Sequence, residues 1–196
     1  MNFLAHAFLS FNHPQVMVGN MISDFVKGKT QYSYPKQIHE GIKLHRHIDT
    51  FTDQHDATKQ AKKVFAPAYR LYSGAIVDIV YDHFLANDKL LFPNNELDIF
   101  SKNVYLNMEQ HHMHLPQKFL LMLPYMRSQN WLYNYHTKEG IDRSLYGLVR
   151  RSAYLTDHTT AFNLFNNNYD TLQNSYNNFI EDVKTFAKQQ FDNLDL

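Results

Sequence analysis

Residues 75–86, AIVDIVYDHFLA, put apolar side chains on nearly every side of a helix. At 100° per residue, Ile79, Val80, Tyr81, Phe84 and Leu85 leave no broad polar face to meet water. Such a segment has to be enclosed by other elements. Those elements read as helices: there are only six Gly and six Pro in 196 residues, and apolar positions recur at three and four rather than alternating. The expected fold is all-α, a single domain over 1–196. Helices are predicted at 3–10, 16–27, 37–52, 57–65, 68–88, 96–113, 117–130, 138–152 and 160–191. Breaks are expected at Asn12-His13-Pro14, between Lys27 and Pro35, and at Ala66-Pro67, Phe92-Pro93-Asn94 and Leu115-Pro116.

Charge and composition narrow the function. Nineteen basic and nineteen acidic residues balance, which gives no support to bulk electrostatic binding of nucleic acid or of an anionic membrane. The halves differ, with nine Lys/Arg against five Asp/Glu in 1–75 and ten against fourteen in 76–196, so a basic face for an acidic partner fits. Cysteine is absent, which excludes disulfides, thiolate metal sites and cysteine nucleophiles and leaves His, Asp, Glu or Asn to hold any metal. The apolar opening MNFLAHAFLSF has no basic leader and is interrupted by His6, and no apolar run approaches the roughly 20 residues of a membrane span. A soluble, cytoplasmic protein is expected.

Two acids, Asp78 and Asp82, share a narrow stripe of the enclosed helix. A carboxylate in apolar surroundings costs several kcal/mol unless it is paired, hydrogen-bonded or bound to a cation, and two together repel. A divalent metal would satisfy both; a helix cap or an Arg pairing would serve equally for Asp78. In GIKLHRHIDTFTD, His45 and Asp49 are four apart and meet on one helical face, and Asp53 extends the row. Asp24 lies one turn beyond Gly19-Asn20, and His6, alone among apolar residues, has the pattern of a hydrogen-bonded core histidine. Taken together, these imidazoles and carboxylates on separate helices suit Mn²⁺, Fe²⁺, Zn²⁺ or Mg²⁺ and metal-assisted hydrolysis.

The segments NFLAH (2–6), GNxxxDFVKG (19–28), GIxxHRxIDxFTD (41–53) and VDxxYDHFL (77–85) resemble, in order and spacing, the acyl carrier protein phosphodiesterases, also called acyl carrier protein hydrolases. QNWLYNY (129–135) and GLVRRS (147–152) are weaker matches. The resemblance implies a helical, Mn²⁺-dependent enzyme, distantly related to the HD-type phosphohydrolases. Its reaction would hydrolyse the phosphodiester between 4′-phosphopantetheine and a serine of holo-acyl carrier protein. Carried onto this chain, it makes His6, Asp24, His45, Asp49, Asp78 and Asp82 candidates for the metal centre, with Asp24, His45, Asp49 and Asp78 the catalytic candidates. Asn20, Arg46 and His83 become candidates for the phosphate or leaving oxygen.

Other readings remain open at this level. The chain's His-Asp dipeptide, His55-Asp56, reads as an exposed turn but rivals the ligand set, and Gln110-His111-His112-Met113-His114 reads as a surface helix end. The basic residues Lys27, Lys29, Lys36, Lys43 and Arg46, with Arg143, Arg150 and Arg151 as additions, could face an acidic carrier protein. An HD-type hydrolase of a nucleotide or other small phosphoester, or a helical binding protein without catalysis, are the alternatives.

Overall fold

The computed structural model describes residues 2–196, and among them helices account for all regular structure. The helices are α1 (Phe3–Phe8), α2 (Pro14–Ile22), α3 (Lys36–Gln54), α4 (Asp56–Tyr69), α5 (Ser73–Asn87), α6 (Glu96–Gln110), α7 (Gln117–Ser128), α8 (Trp131–Asn134), α9 (Lys138–Arg151), α10 (Thr159–Asn167), α11 (Tyr169–Asn177) and α12 (Ile180–Asp192). None is long and apolar enough to cross a membrane.

The enclosed helix is α5, packed against α1, α4, α9 and α11. Ile76, Val77, Ile79, Val80, Tyr81, Phe84 and Leu85 are all buried, as its all-round apolar pattern requires. One of its acids anchors the start of the chain. Asp82 accepts the backbone N–H groups of Leu4 (2.8 Å), Ala5 (3.2 Å) and Asn2 (3.3 Å), satisfying the first turn of α1, whose amides would otherwise lack partners.

The turn from α1 to α2 is made by Phe11 and Asn12 at positive φ, after which His13 caps Val16 N–H and Pro14 occupies the first helical turn. The closest helix pairing in the fold is α2 on α3. Its cause is two glycines: a Cβ on Gly19 would stand 1.9 Å from the Ile38 carbonyl oxygen, and one on Gly41 would stand 2.2 Å from that of Val16. The backbones therefore touch where any larger residue would separate them. From the other side Phe186 of α12 stacks on Phe51 of α3, ring centroids 4.4 Å apart.

Beyond shifts of a few residues, such as α2 ending at Ile22 rather than 27, three features differ from expectation. α4 runs through Pro67 and ends at Arg70, whose φ of 48° breaks it; proline in the last turn sacrifices little of the helix. The segment 131–134, unassigned from sequence, forms α8. The single helix expected over 160–191 is three, interrupted near Asn168 and Asn178, because asparagine competes for backbone groups: Asn168 Nδ2 donates to the Leu164 carbonyl at the end of α10.

Candidate metal centre

α1, α2 and α3 converge on two histidines. His6 and His45 are 3% and 4% exposed, and their rings stack 3.8 Å apart at 16°. Asn20 orients both. Its backbone carbonyl accepts from His45 Nδ1 (2.7 Å), and its side-chain Oδ1 accepts from His6 Nδ1 (2.8 Å). The amide is held in that sense because its Nδ2 donates to the His6 carbonyl (2.9 Å) and to Ser10 Oγ (3.0 Å). Both protons thus sit on Nδ1, which turns both Nε2 lone pairs to the same side.

Asp49, one turn beyond His45, meets them there. Its oxygens lie 3.2 Å from His6 Nε2 and 3.1 Å from His45 Nε2. The ligand atoms of His6, His45 and Asp49 all fall within 4.8 Å of one another. Both Nε2 atoms are shut off from solvent and face carboxylate oxygens, of Asp49 in each case and of Asp24 as well for His45. Buried imidazole nitrogens converging with a carboxylate, each oriented through its other nitrogen, could hold a metal ion. Asp24 reaches over the mouth of this pocket, exposed, 3.3 Å from His45 Nε2.

The electrostatics divide the pair. Burial, reinforced by the neighbouring His45, pushes His6 down to about 4. Burial alone would also lower His45, but hydrogen bonds and charge from Asp24 and Asp49 outweigh it and raise His45 to about 9. Burial opposes ionisation of Asp49, yet the two imidazoles hold its carboxyl well below the usual range. His45 is also the first cause of a lowered pKa at Asp24. In the absence of metal, one imidazolium therefore sits between two carboxylates.

The remaining candidates lie elsewhere. Asp78 is half-buried on α5, outside the three-atom cluster; burial first, and the charge of Asp49 further down, raise its pKa. Asp82 caps α1, and burial pushes it up to about 7 against those backbone hydrogen bonds. His83 is a core histidine with both nitrogens engaged, Nδ1 with the Tyr135 carbonyl (2.8 Å) and Nε2 with Tyr169 OH (2.9 Å). Asn20 likewise has its amide committed to orienting histidines. Arg46 Nη1 donates to Gln31 (2.6 Å), tying the 3₁₀ turn Gly28–Ser33 to α3.

Asp53 pairs with Lys62 at 2.6 Å, away from the histidines. His55 caps α4 through Ala57 N–H and meets Asp182, while Asp56 pairs with Lys59, so the His-Asp dipeptide is a helix start. His111 and His112 turn back on carbonyls of α6, as a surface helix end does. Of the basic residues, Lys36 pairs with Asp195, Lys43 with Glu40, and Arg150 lies over the Tyr146 ring; Lys27 and Lys29 are exposed just past Asp24. Sequence reasoning missed Ser10, which anchors Asn20; the trace it leaves is its position four residues after His6, where its hydroxyl reaches the His6 carbonyl (2.7 Å).

Residues 1–183 match the acyl carrier protein phosphodiesterase family. The chain belongs to that family. Curated relatives carrying the same name include those of Yersinia pestis, 33% identical over 91% of this chain and 93% of theirs, and Photorhabdus laumondii, 34% identical over 83% and 82%. The Klebsiella pneumoniae relative is 30% identical over 97% of this chain and 99% of its own. No solved structure matches. His6, Asn20, Asp24, His45 and Asp49 thus form a cluster built by the first three helices and the 3₁₀ turn Ser23–Phe25 of an acyl carrier protein phosphodiesterase family member.

Proposed function

We propose that this chain hydrolyses the phosphodiester linking 4′-phosphopantetheine to a serine of holo-acyl carrier protein, using a divalent metal, Mn²⁺ by preference, held by His6, His45 and Asp49. The observation that carries the reading is the pair of stacked, buried imidazoles whose Nε2 atoms converge on one carboxylate in a chain of this family. When bound, such a metal polarises a phosphoryl oxygen and lowers the pKa of bound water.

This chain's residues would do the rest. Asn20 keeps both imidazoles in the tautomer that offers Nε2, so ligation needs no ring rotation. Asp24, ionised and exposed at the mouth, accepts from and orients the attacking water. Asp78, on α5, lies near enough to Asp49 for that charge, with burial, to raise its pKa and favour its protonated form. Lys27 and Lys29, exposed just past Asp24 in the chain, would face the acidic carrier protein, and the reaction would take place in the cytoplasm.

Purified protein incubated with holo-acyl carrier protein and Mn²⁺ should release 4′-phosphopantetheine, seen by mass spectrometry as loss of that mass from the carrier. Mn²⁺ binding without conversion, together with hydrolysis of a nucleotide, would overturn this reading in favour of a small-phosphoester hydrolase.

A further inference from the structure

Beside the metal pocket lies a larger cleft of about 100 Å³, and the two share Asn2 and Phe3 as a common wall. Trp131 and Tyr135 form one side, while α9 forms the other through Gly140, Arg143, Ser144, Gly147 and Arg151. These five recur at three and four residues, so one face of α9 is aimed at the space.

The walls are fixed by local structure. Leu132 N–H donates to Tyr105 OH (2.9 Å), holding α8, and Thr137 Oγ1 caps α9 through Gly140 N–H (2.9 Å). Gly140 is required because a Cβ there would stand 1.9 Å from the Asn134 carbonyl oxygen. Gly147 differs: a Cβ there would meet only the tip of Arg151, at 3.3 Å, and its backbone is ordinary helix, so its missing side chain leaves open space in the cleft. Neither Arg143 nor Arg151 forms an ion pair among the described residues.

We infer that this cleft receives the 4′-phosphopantetheine arm of the substrate, phosphate toward Asn2 and Phe3 where the cleft meets the metal pocket, and amide chain along Trp131, Tyr135 and the small-residue face of α9. The inference rests on the proposed phosphodiesterase reaction. The match is chemical. The arm is a narrow chain with a dimethyl branch, which suits an aromatic wall opposite glycines. Its amide carbonyls and phosphate all accept hydrogen bonds, and two unpaired arginines supply donors and positive charge.

Trp131 is the only tryptophan in the chain, so its fluorescence reports the cleft directly. Titration of EDTA-treated protein with 4′-phosphopantetheine should give a saturable change. Gly147→Leu, which adds bulk to the cleft and displaces the tip of Arg151, should raise the apparent Kd by roughly tenfold or more and raise KM for holo-acyl carrier protein more than it lowers kcat. Arg143→Gln and Arg151→Gln should erode the preference for 4′-phosphopantetheine over pantetheine. A silent Trp131 in the native protein, or an unchanged Kd in folded Gly147→Leu, overturns the subsite. Saturable binding without turnover of holo-acyl carrier protein supports the subsite and tells against the phosphodiesterase reading.

Discussion

His6 and His45 lie on different helices yet stack at 3.8 Å, and both Nδ1 atoms are held by the one residue Asn20. The two attachments differ in kind. His45 is held by the Asn20 main chain, which survives any substitution; His6 is held by its side chain. Asn20→Ala should therefore loosen His6 alone and weaken Mn²⁺ binding by roughly 10–100-fold, the usual loss for an outer partner of a metal ligand. Calorimetric titration with Mn²⁺ measures this, and wild-type affinity would remove Asn20 from the site.

Asp49, against two imidazoles, and Asp82, fully buried, are acids with opposite consequences on removal. Asp49→Ala should lower Mn²⁺ affinity by more than about 100-fold, beyond the loss of an outer partner. Asp82→Ala leaves three amides of α1 without an acceptor and should destabilise the fold by about 3 kcal/mol, while its folded fraction still binds Mn²⁺. Denaturation and metal titration on both variants test the contrast; equal metal loss would place Asp82 among the ligands.

The Gly19–Gly41 contact sets the distance from Asn20 to His45. Gly41→Ala pushes a methyl to 2.2 Å from the Val16 carbonyl and should cost about 3 kcal/mol, the upper end of overpacking, while also weakening Mn²⁺ binding. Gly74→Ala in α5 meets only the end of Lys62, at 3.3 Å, and should be neutral or slightly stabilising. Urea midpoints of the two variants provide the comparison.

His83 predicts an acid limb in the stability curve. Burial lowers it to about 4 from an ordinary 6.5, so the folded state favours the neutral ring. Its contribution is complete above pH 6.5 and is lost as the pH falls toward 4, by up to roughly 3 kcal/mol. His83→Gln, which can still donate to the Tyr135 carbonyl and accept from Tyr169, should flatten that limb. Unfolding free energies between pH 7.5 and 4 check it, and an unchanged slope would assign the acid limb to other groups.

The enclosed pattern of 75–86, the helical spacing of apolar residues and the His45–Asp49 pair were legible from sequence alone, because each depends on neighbours within two turns of one helix. So was the family, through motifs in order along the chain. The division of roles was not. Asp78 and Asp82 share one stripe in the sequence, yet Asp82 caps α1 from about eighty residues away while Asp78 makes no such cap and lies near enough to Asp49 for that charge to help raise its pKa. His83 and His6 are both lone histidines among apolar neighbours, and only the packing of α1 against α2 and α5 sends one to the cluster and the other to Tyr135 and Tyr169. Local periodicity fixes which face a side chain is on; what waits opposite that face is decided by helix crossings, here by two glycines that let α2 and α3 touch.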